Sequence, residues 1–252
     1  MIDTHCHLDC VEFDADRAAV LERSRRAGVT CWVVPGVRVE DGPRLLALRE
    51  EPGIVLAPGL HPLYQAEHPA DAVMRLESSL DAMRPVALGE IGLDHLADPA
   101  THAAQLQMFA DQLDLAMARK LPVLLHVRKA HDRVLALLRQ RRLPRGGIVH
   151  AFGGSPELAR NYLDLGFALG FGGVVTWERA RRYHQLARVV PDGAIVLETD
   201  APDLPPAGWE GRRNEPALLP RVAVALALLR GVTPEALATL ADANARRLLH
   251  LP

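Results

Sequence analysis

The chain has 252 residues, 49% of them hydrophobic and 24% charged, and a formal net charge of -2. That length is close to the roughly 250 residues of one α/β barrel and is enough to bury a core without disulfides. No apolar run approaches the roughly 20 residues of a membrane helix, and the near-neutral charge excludes a long basic footprint on duplex nucleic acid while leaving a short polyanion end open.

The N-terminus, Met1-Ile2-Asp3-Thr4-His5, lacks the basic stretch and apolar core of a secretory signal, so the expected compartment is the cytoplasm. Cys6, Cys10 and Cys31 make an odd set with no CxxC spacing, which suits a reducing compartment and packing roles. One domain spanning 1–252, a monomer without membrane contact, is the starting expectation.

In chain order, eight short apolar runs stand out, at 2–7, 30–35, 54–60, 86–91, 123–127, 147–151, 167–175 and 195–199. Most are followed by a segment of helical periodicity, including 14–27, 102–120, 130–142 and 155–165, the last with Ser155 as its cap and Pro156 at its first position. A Pro- and Gly-rich loop at 201–216 follows the eighth run, and two or three helices close the chain. Right-handed β-α-β crossovers make the sheet parallel, and eight such units predict an α/β fold of the (β/α)₈ TIM-barrel type with extra C-terminal helices. An open doubly wound sheet is the weaker alternative, because the first strand lacks a Gly-rich phosphate turn.

Polar residues collect at the C-terminal ends of these runs, the end where barrels build active sites. His5 and His7 are two apart, so in an extended chain both face one side while Cys6 faces the other. Glu90 ends the apolar run in Ala87-Leu88-Gly89-Glu90-Ile91-Gly92-Leu93-Asp94, where a buried carboxylate needs a cation or an arginine partner. His126 and His150 end two further runs, and Asp200 closes another with Glu198 on the same face. Any one of these alone is weak, since a single strand-end histidine is more often a packed core residue. Six donors, four imidazoles and two carboxylates on one rim, point to a divalent site of the Zn²⁺, Mn²⁺, Fe²⁺ or Ni²⁺ kind better than to Ca²⁺.

These segments, with Gly59-Leu60-His61-Pro62, His126-Val127-Arg128, His150-Ala151-Phe152 and Glu198-Thr199-Asp200-Ala201-Pro202, resemble the TatD family of metal-dependent deoxyribonucleases in the amidohydrolase-like barrel superfamily. The resemblance runs the full length. It implies that His5 and His7 bind one metal with Asp200, that Glu90 bridges, and that His126 and His150 bind a second. The ions would be drawn from Zn, Mn, Mg, Fe or Ni. It further implies that His61, Arg128 and Glu198 surround the reacting group and that the bond cut is a phosphodiester. The leading expectation, to which the near-neutral charge leans, is 3'-5' removal of nucleotides from single-stranded DNA ends, with RNA, another phosphodiester and endonucleolytic cutting left open. In the expected reaction water attacks phosphorus, Asp200 takes its proton, Arg128 and His61 stabilise or protonate the oxygens, and Glu198 orients the ligands.

His95 and Val127 depart from the usual pattern of the family and bear on substrate shape. Trp177 and Trp209 are the base-stacking candidates, and both could equally be packing residues. The helix N-terminus at Ser155, or alternatively Arg212 and Arg213 in the last loop, is a candidate phosphate contact. Two alternatives stay open: a C-N or ester hydrolase of the same superfamily, and a non-catalytic metal-binding barrel that serves as an interaction module.

Overall fold

The computed structural model describes residues 1–251. Its strands are β1 Ile2–Asp3, β2 Cys31–Pro35, β3 Ile54–Ala57, β4 Leu88–Asp94, β5 Val123–Arg128, β6 Gly147–Val149, β7 Phe167–Phe171 and β8 Ile195–Leu197. Most grow from short, predominantly apolar runs. All are parallel to their neighbours, in the orders β1-β2-β3 and β4-β5-β6-β7-β8. Single backbone hydrogen bonds join the two sheets at both seams. Val86 N donates to Leu56 O at 2.9 Å and Gly89 N to Pro58 O at 3.0 Å on one side, and Thr4 N donates to Leu197 O at 2.9 Å on the other.

The helices are α1 Arg17–Arg26, α2 Gly42–Leu48, α3 Ala72–Met83, α4 His102–Arg119, α5 His131–Arg141, α6 Pro156–Leu163, α7 Arg181–Val189, α8 Leu219–Arg230 and α9 Pro234–Leu249. The Ser155 hydroxyl accepts from Leu158 N at 3.1 Å, a cap worth about 1 kcal/mol. Among the described residues no single helix is long and apolar enough to cross a membrane.

The core has two shells. Ile2, Val33, Ala57, Ala87, Leu124, Ile148, Ala168 and Val196, one from each strand or its first approach, form an inner cluster with Ala245, Leu248 and Leu249 of α9. The interior of the ring is therefore filled and stoppered by the last helix, the (β/α)₈ arrangement. The larger outer cluster lies between strands and helices, with Trp32, Phe109, Tyr162 and Phe171 buried in it. With the N-terminal half of the ring closed by apolar packing, the polar strand ends are left to face one another at the opposite mouth.

Several strands are shorter than the apolar runs that announce them. Beyond Asp3 the chain leaves the regular ladder and bonds to both neighbours in turn, with Cys6 N donating to Val33 O at 3.1 Å and His7 N to Ala201 O at 2.7 Å. The run at 167–175 divides: β7 stops at Phe171 and Gly173–Thr176 is a tight helical turn whose Val175 joins the core. Apolar periodicity cannot separate a strand from a buried turn of this length.

Candidate active site

The strand ends open into a cleft of about 700 Å³ with His7, His61, Glu90, His126, His150 and Asp200 along its floor. At the β1–β8 corner, His5 Nε2 lies 3.3 Å from His7 Nε2 and 3.0 Å from Glu90 Oε2. Asp200 Oδ1 is 3.7 Å from the first ring nitrogen and 3.6 Å from the second. The His150 ring stacks on His5 at 3.6 Å, with Nε2 3.3 Å from Asp200 Oδ1. Its Nδ1 is 2.9 Å from Glu198 Oε1, close enough for an ion pair but without the alignment of a hydrogen bond.

Buried polar contacts fix this corner. Asp3 accepts from Thr199 N at 2.9 Å and from the Thr199 hydroxyl at 2.5 Å, tying β1 to the segment after β8. Burial lifts the Asp3 carboxyl to about 7, against the pull of those hydrogen bonds. Asp200 adopts φ 59°, a left-handed conformation that aspartate tolerates better than most residues, and its N donates to His5 O at 2.8 Å. Glu198 can sit beneath His150 only because position 170 is glycine, where a Cβ would come within 2.1 Å of Glu198 Oε2.

At the β3–β5 corner, His126 Nδ1 is 2.9 Å from Glu90 Oε1 and its Nε2 is 2.9 Å from Asp94 Oδ2. His61 Nε2 is 3.4 Å from the same Glu90 oxygen. Glu90 thus offers one oxygen to each corner. Helix α4 sets the strand ends: Gln112 accepts from Leu60 N at 2.7 Å and donates to Leu60 O at 3.1 Å, while Gln105 accepts from Asp94 N at 2.9 Å. Both glutamine side chains are buried, and leaving either strand-end group unpaired would cost about 1–3 kcal/mol. Gly92, at φ 146°, lets β4 pass so close to β5 that a Cβ would meet His126 O at 1.9 Å.

Burial alone would raise the Glu90 carboxyl, but the facing His5, His61 and His126 hold it well below the usual range. Burial likewise opposes the charged form of Asp200, and His150 and His7 outweigh it and keep the carboxylate ionised. For His7 burial favours the neutral ring, yet Asp200 and Glu90 lift it to about 9. His5 and His61 go the other way, lowered chiefly by burial. A set in which two ring nitrogens face each other across 3.3 Å, with carboxylates beside both, fits a shared cation. Among the described residues three groups could hold a metal ion, their donor atoms within 4.8 Å of one another: His5, His7 and Asp200; His5, His150 and Glu198; and His61, Glu90 and His126. His150 stands with His5, drawn between Glu198 and Asp200, and His126 stands with His61.

Every residue expected at the metal site is in this assembly, as are His61 and Glu198. Arg128 lines the same cleft, and its side chain makes no hydrogen bond or ion pair among the described residues. Other expectations fail. Trp177 and Trp209 donate to Pro205 O and Arg213 O and do not line the cleft, so they are packing residues. Arg213 is committed to Asp16, with two contacts of 2.8 Å, and stacks on Phe13, while Arg212 stacks on Trp209. Gly153 and Gly154 line the cleft in place of Ser155. Of the cysteines, Cys6 is buried but Cys10 reaches the cleft, its thiol pushed up to about 12 by burial. Sequence reasoning misses Asp3, Asp94, Gln105 and Gln112 as positioning groups. The last pair are seven apart on one helix, hence on one face, and a buried polar pair at that spacing is a legible signal.

Residues 2–250 match the TatD-related DNase family. The metal-dependent hydrolase YjjV of Escherichia coli K12 is 38% identical over the whole of this chain and 98% of its own length. Its crystal structure superposes with a TM-score of 0.96, covering 100% of this chain and 98% of that one. The 3'-5' ssDNA/RNA exonuclease TatD of Erwinia billingiae is 36% identical over the full length of both chains. A TatD-family hydrolase from Entamoeba histolytica shares the fold at a TM-score of 0.83 with 20% identity, over 100% of this chain and 98% of that one. With the family matched over nearly all of its length, the chain belongs to the TatD-related DNases, a family of metal-dependent hydrolases.

Proposed function

We propose that the protein is a divalent-metal-dependent phosphodiesterase acting on single-stranded DNA ends in the 3'-5' direction. The observation that carries this reading is Arg128, whose guanidinium makes no hydrogen bond or ion pair among the described residues, in the same cleft as a buried set of imidazoles and carboxylates. An anion with several oxygens satisfies both: donors on the floor for the metal and a planar guanidinium for a phosphate oxygen. The exonuclease name carried by the Erwinia relative supports the choice of nucleic acid.

His5, His7 and Asp200 would hold one ion and His126 the second, with Glu90 between them and His150 beside Asp200. When bound, a metal pair lowers the pKa of water and neutralises charge on the phosphate oxygens. The chain's own groups do the rest. Asp200, ionised at neutral pH, takes the proton of the attacking water. Arg128 binds a non-bridging oxygen, and His61 lies beside Glu90 to meet the leaving oxygen. Glu198 and Asp94 stand behind His150 and His126 and fix their ring orientation.

The direct test is cleavage of end-labelled single-stranded DNA by metal-stripped protein reloaded with Mg²⁺, Mn²⁺ or Zn²⁺, beside Asp200→Asn. Stepwise shortening from the 3' end that the variant lacks is the expected result. If no metal restores cleavage, the proposal fails and the C-N or ester hydrolase takes its place.

A further inference from the structure

One arc of the rim carries positive charge that the reaction as described does not use. Lys129, at the end of β5, and Arg182 and Tyr183, in the first turn of α7, line the cleft with Gly153 and Gly154 between them. The strands that bring them there, β5, β6 and β7, are consecutive neighbours. Neither cation has a hydrogen bond or ion pair among the described residues, and neither does the Tyr183 hydroxyl. Some arginines elsewhere are paired, as Arg17 is with Asp14 and Arg141 with Asp114, and others such as Arg49, Arg84 and Arg160 are not paired among the described residues; what distinguishes Lys129 and Arg182 is that both line the cleft.

The start of α7 runs against helix electrostatics. Its positive end carries Arg181 and Arg182 and no acidic residue in the first turn, an arrangement that an anion at that end would relieve. Tyr183 stands where the two sets of groups meet, within electrostatic reach of Glu198 and His150 on one side and of Arg182 and Arg128 on the other. Its hydroxyl oxygen occupies the space a side chain at position 153 would need, since a Cβ there would lie 2.4 Å away. The glycine keeps a free phenol at the edge of the cleft.

We propose that this arc is a second phosphate subsite, in which Lys129 and Arg182 hold the phosphate next to the scissile one and Tyr183 donates its hydroxyl to it. The inference rests on the phosphodiesterase reading and adds to it a preference for chains with at least two phosphates. Arg128 serves the scissile group. Asp203, which lines the cleft outside the arc, disfavours the same phosphate on its own side.

The experiment compares kcat/KM for a thymidine dinucleotide, with one phosphate, and a trinucleotide, with two, at several salt concentrations. The wild type should prefer the trinucleotide by about tenfold, the scale of one charge-assisted hydrogen bond. Arg182→Ala and Lys129→Ala should each shrink that preference severalfold through KM, with partial recovery in Arg182→Lys. The salt slope should fall by about 0.7 for each phosphate that a variant leaves unneutralised. A preference left intact in the double Ala variant overturns the subsite. If the wild type cleaves neither oligonucleotide with any metal, the phosphodiesterase reading fails separately. The arc is then judged by calorimetry with inorganic pyrophosphate: binding that weakens severalfold in the double variant upholds an anion site, and equal or absent binding overturns it.

Discussion

The floor of the cleft and the loop that follows β8 are both rich in charge, yet they use it in opposite ways. On the floor, side chains from different strands aim their donor atoms at one another, and the groups that steady them, Asp3, Asp94, Gln105 and Gln112, are buried behind them. In the loop the charges turn outward to the nearest complement. Arg213 grips Asp16 and stacks on Phe13, and Asn214 donates to Thr199 O at 2.8 Å and Asp203 O at 2.6 Å. The floor concentrates like donors at a cost that a bound cation offsets, while the loop pairs Arg213 with Asp16 and Glu215 with Arg23. Function sits where charge is left unbalanced, and anchoring sits where it is balanced.

That contrast breaks most visibly at Glu90, the residue shared by both corners. Glu90→Gln should lower metal-dependent turnover by about 10⁴-fold, the upper end for one catalytic group, and reduce bound metal in elemental analysis. Full metal content with full turnover would remove the bridging assignment. Asp200→Asn comes next, with about 10²–10⁴-fold lost from kcat and the fold intact by circular dichroism. Wild-type kcat in a metal-loaded sample would reject Asp200 as the base. Asp94→Asn is milder, because Asp94 acts through His126: metal affinity or activity should drop by about 10–100-fold. An unchanged metal titration would reduce Asp94 to a packing role.

The same contrast explains what can be read from the chain alone. His5, His7, Glu90 and Asp200 are legible because a residue at the end of an extended run has its direction fixed by alternation, and the barrel aims all such ends at one mouth. The TatD resemblance adds His61, which no periodicity marks, and Arg128, which alternation places on one strand face with His126. Asp94 stands in a legible segment without an assigned role, although residues 90, 92 and 94 share one strand face and Asp94 meets His126 from the neighbouring strand. Arg213, Trp177 and Trp209 mislead for the reverse reason. A loop has no period, so its side chains go where local partners lie. Strand lengths differ at β1 and β7 because the rim residues bond to two neighbours at once or turn into a helical coil, and hydropathy does not register either.

The smallest expected effect belongs to the loop. Asp16 and Arg213 are both partly exposed, so the pair contributes about 0.2–1 kcal/mol after solvent screening, and Asp16→Asn should lower stability to urea by that amount without touching the metal site. The pH dependence has a definite sign. The Arg213 hydrogen bonds, with Arg23 adding to them, hold the Asp16 carboxyl at about 2 against an ordinary value of 3.8. Stability from a depressed acid is complete above its unfolded pKa and is lost as pH falls through its folded one. The gap between wild type and variant should therefore stay level from about pH 7 to about pH 5 and narrow from about pH 4 towards pH 2. A gap that instead stayed flat from about pH 7 to about pH 2 would mean that Arg213 holds the loop through the Phe13 ring and the Glu12 carbonyl alone, and the loop would then owe its position to packing and not to balanced charge.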